Sequence, residues 1–156
     1  MQDRVAIITG GGRGLGRAFA KRLAEEGAIV IIAEIDRERA DNVANEIIQS
    51  GGRALSVQTD ISDEVSVGAM SKRVMAEFGR IDILINNAAL LETLKRGPFE
   101  EIPPDEFEQA LKVNVTGAYL TARVAVPIMR EKEVGGGLSI CPRIQRLPET
   151  QAIYTM

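Results

Sequence analysis

The sequence contains no histidine, no tryptophan and only one cysteine, Cys141, and aromatic residues make up 4% of it. Without histidine the chain cannot build a serine–histidine triad or a histidine metal site, and we predict no metal. A single cysteine cannot form an internal disulfide. No apolar stretch approaches the roughly 18 residues that a membrane-spanning helix needs, and no secretory leader precedes Val5. These absences favour a soluble, cytoplasmic protein.

The sequence also lacks a large excess of charge of either sign. Nineteen basic and 22 acidic residues leave a net charge of −3, and no basic run occurs. We therefore expect neither nucleic acid nor an anionic membrane as a partner. The 156 residues suffice for one domain with its own core, so we predict a single domain over residues 1–156.

What the chain does have is a glycine-rich segment, Thr9–Gly16 (TGGGRGLG). The apolar run 5–9 before it is short, continuous and β-branched, which is typical of a buried parallel strand. After it, Leu15, Phe19 and Leu23 recur at four-residue steps, which predicts a helix. Glycines allow close approach of a ligand, and the new helix offers unpaired N–H groups and its positive dipole end. Strand, turn and helix together predict a site for a phosphate-bearing cofactor.

The spacing of the glycines narrows the choice of cofactor site. The pattern G-x-G-x-x-G fails in every register, and the nucleoside-triphosphate loop lacks its lysine and hydroxyl residue, which Arg17 and Ala18 replace. The pattern T-G-x-x-x-G-x-G does fit, and in this it resembles the short-chain dehydrogenase/reductase family, especially the 3-oxoacyl-carrier-protein-reductase-like members. The alternative is a glycine turn that only joins two elements. The resemblance implies that the cofactor is bound by Gly10, Gly12, Arg13, Gly14, Leu15 and Gly16.

An acidic residue follows the second apolar run, 28–33. In a nucleotide-binding βαβ unit, such a residue about 20 positions beyond the glycines meets the adenosine ribose. Glu34 can accept hydrogen bonds from both ribose hydroxyls and would repel a 2′-phosphate, so we predict NAD rather than NADP, with Ile35 beside it in the cofactor site. The alternative for Glu34 is a solvated charge at a strand end. Asp36 is either a solvated charge of this kind or the N-cap of the next helix, 36–50.

The ends of the next two predicted strands, 53–58 and 82–86, also carry polar residues. The resemblance implies that Asp60 and Ile61 meet the adenine ring, although Asp60, Ser62 and Asp63 can also act as helix caps. Buried amides need partners, and the family's Asn-Asn-Ala-Gly segment braces the sheet and shapes the ribose end of the site. Asn87, Ala88 and Ala89 stand at its last three positions here, after Asn86. Ala89 replaces the usual glycine and is expected to narrow the pocket slightly.

Residues 90–104 form the longest irregular stretch, in which Lys95 and Arg96 are either part of a solvated loop or contacts for an acidic substrate. Pro104 is predicted to begin a long helix that ends near Lys132. Its predicted continuous apolar face consists of Phe107, Ala110, Leu111, Val115, Ala118, Ala122, Ala125 and Met129. Asn114 lies on that face, where a buried amide is costly unless it is satisfied. The resemblance implies that Asn114 holds a water in a proton relay; the alternative is a structural asparagine. This helix is also a candidate surface for a homo-oligomer.

The resemblance weakens at the end of the chain. A fifth strand is predicted at 138–140, and Tyr154 is the candidate for the family's catalytic tyrosine. Counting back thirteen residues gives Cys141 where the family has serine, and Ser139 is two residues further away. The family's lysine belongs four positions after Tyr154, but the sequence stops at Met156. We therefore expect a truncated form of a longer enzyme that lacks the C-terminal part of the usual fold, and little or no turnover by these 156 residues.

The predicted fold is α/β, a doubly wound, Rossmann-type parallel sheet of about five strands with helices on both faces. The resemblance implies an oxidoreductase that transfers a hydride between NAD(H) and a small secondary alcohol or ketone, with Tyr154 as the general acid/base. In this scheme Ser139 or Cys141 polarises the oxygen. The alternatives are a non-catalytic dinucleotide-binding module and a phosphate-binding, ATPase-like domain.

Overall fold

A computed structural model describes residues 1–90, 98–131 and 137–140, the last of these through the backbone alone. Strands and helices alternate as predicted through the first half of the chain. The strands are β1 (Val5–Thr9), β2 (Ile29–Glu34), β3 (Arg53–Gln58), β4 (Ile83–Asn86) and β5 (Gly137–Ile140). The helices are α1 (Gly14–Glu25), α2 (Arg37–Gln49), α3 (Glu64–Phe78), α4 (Pro104–Leu111) and α5 (Ala118–Glu131). A short 3₁₀ turn (Phe99–Glu101) precedes α4, and a π-helical segment (Lys112–Gly117) joins α4 to α5.

The five strands form one parallel sheet in the order β3-β2-β1-β4-β5. The chain runs outward from β1 to β3 and then returns to place β4 on the other side of β1. The predicted doubly wound sheet is therefore confirmed. Continuous apolar runs explain the central position of β1, since all five of its residues are buried.

The core lies on both faces of this sheet, because successive residues of a strand point to opposite sides. Ile8 and Ile32 pack towards α1 and α2, while Ile7 and Ile31 pack towards α3 and α5. The first face is completed by Ala20, Val30, Ala40, Val43, Ala44, Ile47 and Ile85. The second is completed by Val5, Val67, Met70, Val74, Leu84, Leu120, Ala125, Val126 and Met129.

A buried carboxylate joins the starts of the two central strands. Asp82 is only 3% exposed, and its Oδ2 accepts from the Val5 N–H at 2.8 Å and from Arg80 Nε at 2.7 Å. In return, the Asp82 N–H donates to the Val5 carbonyl at 2.9 Å. The hydrogen bond that Arg80 donates to Asp82 raises the pKa of Arg80 above its already high ordinary value.

The long helix predicted from Pro104 is helical throughout its described length, but a π-helical segment interrupts the α-helix. The predicted apolar face is wrong in the first half of this helix. Phe107, Leu111 and Val115 are exposed, whereas Ala122, Ala125 and Met129 are buried. The π segment explains the difference. A π turn holds about one residue more than an α turn, so the apolar face of α4 does not continue into the core-facing side of α5.

Within the residues that the structure describes, no helix is both long enough and apolar enough to cross a membrane.

Candidate functional site

The predicted site residues gather along the edge of the sheet where the parallel strands end. β1 ends at Thr9, β2 at Glu34, β3 at Gln58 and β4 at Asn86. Ligands of doubly wound sheets bind outside this edge, where the strand order reverses. Here the reversal lies between β1 and β4, the two strands that the glycine turn and the asparagine pair follow.

The glycine turn is fastened to the end of β4 by hydrogen bonds in both directions. Thr9 Oγ1 accepts from the N–H groups of Asn87 and Ala88 at 3.0 and 3.1 Å. Asn87 Nδ2 donates to the carbonyls of Thr9 and Gly10 at 3.1 Å each. A Cβ atom at Gly16 would lie 2.1 Å from the Gly10 oxygen and 2.6 Å from Asn87 Nδ2. Only glycine fits there, because the turn and its brace occupy the space.

The N-terminus of α1 is left open by its sequence. Arg13 stands at the N-cap position in extended conformation, no side chain caps the helix, and its first turn holds no acidic residue. By contrast, Asp36 caps α2 and Asp63 caps α3 with their side chains. Unpaired N–H groups and an uncompensated dipole are what a phosphate group requires. Above this turn Gly14 (φ +52°) faces open space, and the Leu15 side chain is exposed.

Glu34 is buried and hydrogen-bonded at the end of β2 instead of lying in solvent. Its side chain is 8% exposed, and Oε2 accepts from the Gly12 N–H at 3.1 Å. Oε1 accepts from the N–H groups of Ile35 and Asp36 at 3.0 and 3.4 Å. The alternative of a solvated charge is therefore wrong for Glu34. The neighbouring Ile35 side chain is exposed beside this carboxylate.

The loop after β3 contains Asp60 and Ile61, the residues predicted to contact the adenine ring. The Asp60 N–H donates to Ser66 Oγ at 2.9 Å, and Asp60 Oδ1 accepts from the N–H and the hydroxyl of Ser62, each at 2.8 Å. The cap of α3 is Asp63, whose carboxylate accepts from Val65 and Ser66. Asp60 thus braces its own loop, while the Ile61 side chain is buried.

Two further asparagines, Asn86 and Asn114, have different partners from Asn87 and from each other. Asn86 is buried; its Nδ2 donates to the Ala118 carbonyl at 3.2 Å, and its Oδ1 accepts from Thr121 Oγ1 at 2.6 Å. Asn114, in the π segment, accepts from the Leu90 N–H at 2.7 Å and donates to the Leu90 carbonyl at 3.4 Å. Asn86 therefore ties the sheet to the start of α5, and Asn114 ties the π segment to the chain after β4.

A cavity of about 170 Å³ lies where these elements meet. It is lined by Ile61, Asn86, Asn87, Ala88, Ala89, Asn114 and Ala118. A larger depression of about 210 Å³ lies elsewhere, between the C-terminal parts of α1 and α2, and none of the predicted site residues lines it. The smaller cavity lies at the ends of the strands, beside the point where the strand order reverses, and asparagine amides converge on it. We therefore identify it as the candidate site by its position, although it is the smaller of the two.

Two site residues were missed by the sequence reasoning. Thr9 was included only as part of a motif, although its hydroxyl oxygen accepts from two N–H groups that follow the neighbouring strand β4. Thr121, fully buried in α5, was not considered, although it donates to Asn86. A threonine on an otherwise apolar helix face was the available signal.

The predicted catalytic end lies largely outside the described residues. Cys141 and Tyr154 are outside them, as are Lys95 and Arg96. Ser139 lies in β5, where its backbone pairs with Ile85 of β4. The roles predicted for Ser139, Cys141 and Tyr154 therefore stay predictions.

The described residues fit a nicotinamide dinucleotide. A phosphate can approach the uncapped start of α1, where glycine keeps the backbone accessible, and Glu34 presents acceptors about 20 residues further along the chain, as a ribose requires. In the described part of the chain no cluster of acidic residues or cysteine is arranged to hold a metal ion.

Comparisons with known proteins agree with this geometry. The chain is 40% identical to the cis-4-hydroxycyclohexanecarboxylate dehydrogenase of Sinomonas cyclohexanicum over 124 residues, which are 80% of the chain and 49% of that protein. It is 39% identical to the 3-ketoacyl-(acyl-carrier-protein) reductase from Brucella melitensis, solved with NADH, with a TM-score of 0.77 over 85% of this chain and 52% of that one. A metagenomic short-chain oxidoreductase, solved with NADP, is 33% identical, with a TM-score of 0.82 over 89% of this chain and 62% of that one.

The chain spans about half the length of the curated relatives it matches. The family profile described as short chain dehydrogenase matches residues 4–149, which is nearly the whole chain. With this match, the T-G-x-x-x-G-x-G turn and the doubly wound sheet, the chain belongs to the short-chain dehydrogenase/reductase family.

Proposed function

We propose that the chain is the cofactor-binding part of an NAD-dependent dehydrogenase that interconverts a small secondary alcohol and the corresponding ketone. The observation that carries this proposal is the pairing of an uncapped helix start with a fixed carboxylate. α1 has neither a capping side chain nor an acidic first turn, and Glu34 is anchored by the Gly12 N–H of the same turn. The first feature suits the pyrophosphate and the second suits the adenosine ribose.

Glu34 supports NAD over NADP through its position as well as its charge. Its carboxylate accepts hydrogen bonds from three N–H groups. These bonds would have to break before the side chain could move aside to admit a 2′-phosphate. A phosphate beside it would meet like charge at a site where acceptors, not donors, are presented. The Brucella melitensis reductase was solved with NADH and the metagenomic oxidoreductase with NADP, so family membership alone does not decide the cofactor, and Glu34 is the residue that favours NAD.

The chemical step is proposed from the family resemblance. When bound, NAD would supply the acceptor or donor for the hydride of the substrate carbon that bears the oxygen. Tyr154 would move the hydroxyl proton, but a tyrosine with its ordinary pKa near 10 must first have that pKa lowered by a nearby cation and hydrogen bonds. Ser139 or Cys141 would donate to the substrate oxygen, and serine is the better donor because a thiol is weak. Asn114 would serve the proton relay from the π segment, where its amide already contacts Leu90.

The test is calorimetric titration of NAD⁺ and NADP⁺ into the wild type, Glu34→Gln and Glu38→Gln. Glu38 lies in the first turn of α2 and is exposed, so it is a matched control. We expect the wild type to prefer NAD⁺. Glu34→Gln removes a charge-assisted acceptor worth about 1.5–3 kcal/mol, so NAD⁺ affinity should fall roughly ten- to hundredfold while the preference against NADP⁺ narrows. A wild type that prefers NADP⁺, or equal behaviour of the two variants, would contradict the proposal.

We also propose that a second copy of this chain covers an apolar stripe on α4, the π segment and α5. The stripe consists of Phe107, Leu111, Val115 and Tyr119, which recur every four residues and are 45–60% exposed. Charge along this stretch is polarised. Glu100, Glu101, Asp105, Glu106 and Glu108 come first, then Lys112, Arg123 and Arg130, with no acidic residue over 109–130.

Charge of this kind is self-complementary. If two copies pair antiparallel about a two-fold axis near Val115, the acidic half of each stretch faces the basic half of the other. The proposed state is therefore a homo-oligomer built on this stripe.

A further inference from the structure

Gly117, the last residue of the π segment, lies against Ile61 with no space between them. A Cβ atom at Gly117 would stand 2.7 Å from Ile61 Cδ1, 2.8 Å from Cγ1 and 3.2 Å from the Ile61 carbonyl oxygen. Real Cβ atoms do not approach other heavy atoms as closely as the first two distances, so a side chain here would force the Ile61 side chain, or the loop that carries it, to move away from the π segment.

This contact lies at the wall of the 170 Å³ cavity, because Ile61 lines the cavity and Gly117 directly precedes Ala118, which also lines it. Ile61 lines the cavity from the loop after β3, and Asn114 and Ala118 line it from the helical side. The hydrogen bonds of Asp60 in this loop are local, since its partners are Ser62, Asp63 and Ser66. The π segment is tied to the sheet, since Thr121 Oγ1 donates to Asn86 and lies 3.0 Å from the Gly117 carbonyl.

We propose that Gly117 is a positioning residue that sets the distance across the cofactor cavity. By admitting Ile61 to within contact of the helix backbone, it fixes the loop that carries Asp60 relative to the segment that carries Asn114. Gly117 itself contacts no ligand in this scheme. It acts through the placement of two predicted ligand-facing groups that come from elements separated by two strands of the sheet. The inference rests on the proposed function only in identifying the cavity as the cofactor's.

The experiment compares Gly117→Ala with Gly68→Ala, a matched control in α3 where an added Cβ meets nothing within 4 Å. Two quantities are measured: the NAD⁺ dissociation constant, and the hydrogen-exchange rate of the Leu90 amide, which donates to Asn114. We expect Gly117→Ala to weaken NAD⁺ binding about tenfold or more, as misplacement in a packed site does, and to speed Leu90 exchange. Gly68→Ala should leave both unchanged.

A second variant separates this role from a general loss of stability. Ile61→Ala removes the two side-chain atoms that the new Cβ would meet, so the double variant Ile61→Ala/Gly117→Ala should bind NAD⁺ better than the two single losses added together. Strict additivity, or wild-type affinity and Leu90 exchange in Gly117→Ala, overturns the inference. If the wild type itself does not bind NAD⁺, the proposed function fails, and Leu90 exchange in the same variants still decides whether Gly117 positions Asn114.

Discussion

At the scale of single residues, Asp82 shows how a charged group can be part of a core. Its carboxylate receives the Val5 N–H at the start of β1 and the Arg80 guanidinium, and it is almost fully buried. A buried carboxylate is tolerated when its oxygens are satisfied and a counter-ion is present, and it becomes costly when either is lost. Asp82 thus stabilises the β1–β4 pair on which the candidate site is built.

Asp82→Asn tests this role. The amide keeps the shape but removes the charge and leaves Arg80 without its ion-pair partner, so we expect the free energy of unfolding to fall by about 1–3 kcal/mol. Asp3→Asn, which removes an exposed ion pair with Arg53, is the control and should cost at most about 1 kcal/mol. Urea unfolding at neutral pH measures both. Equal midpoints for the two variants would show that burial of Asp82 adds nothing.

Sequence alone identified Asp82 as the first residue of a strand but not its partner. The partner is a backbone N–H separated from it by 77 positions, and it becomes available only once β1 and β4 pair in one particular register. The same reason explains Thr9 and Thr121, whose hydroxyls bond to residues of other elements. Glu34 and Asn87 were found because a motif marks their positions. Their hydrogen-bond partners could not be predicted, because partners depend on how elements meet.

At the scale of elements, α1 and α2 are joined on the surface by one carboxylate. Arg17 Nε donates to Glu46 Oε2 at 3.0 Å, and Lys21 Nζ lies 3.6 Å from the same oxygen. The hydrogen bond from Arg17, followed by the charges of Arg17 and Lys21, holds the pKa of Glu46 below its ordinary value. Because the folded-state pKa is the lower one, this carboxylate stabilises the fold above its unfolded pKa, and the contribution is lost as the pH falls through the folded pKa.

Glu46→Gln should therefore lower the melting temperature slightly near neutral pH, and the difference from wild type should shrink as the pH drops below about 4.3, the ordinary pKa of glutamate. Added salt should shrink it as well. Glu25→Gln removes a pair confined to α1 and is the control. Thermal unfolding at several pH values measures the effect, and a difference that grows with acidification would have the wrong sign.

Most elements could be predicted because local signals and the final fold agree. Continuous apolar runs gave β1, β2 and β4, and Asp36 and Asp63 mark the true starts of α2 and α3. The π segment could not be predicted, because residues spaced by four predict an α-helix whether or not one turn is widened. The burial predicted for Phe107, Leu111 and Val115 is wrong for the same reason, because it assumes an unbroken α-helix. The same spacing predicts that Asn114 faces the core, whereas its side-chain amide forms hydrogen bonds with the backbone of Leu90.

At the scale of the whole molecule, the proposed second copy makes a direct prediction. Val115→Asp places a charge at the centre of the stripe, beside the proposed two-fold axis, so we expect it to shift the protein to monomer. Ile48→Asp is the matched control, since Ile48 is also exposed but lies on α2, which packs on the opposite face of the sheet from α5. Sedimentation equilibrium measures the mass. A monomeric wild type, or loss of association in both variants, would contradict the proposed interface.

The bond between Thr9 and Asn87 also bears on how the motif can be used outside this protein. The two residues are 78 positions apart. A chain that has been synthesised only as far as β3 therefore contains every glycine of T-G-x-x-x-G-x-G and the Glu34 carboxylate that accepts from Gly12, but not the Asn87 and Ala88 groups that fasten the turn to the end of β4. Such a chain must wait for β4 to dock beside β1, a slow long-range step. A peptide that carries only the motif and α1, or a protein into which these are grafted, therefore has the sequence of the binding turn without the contacts that fix its conformation.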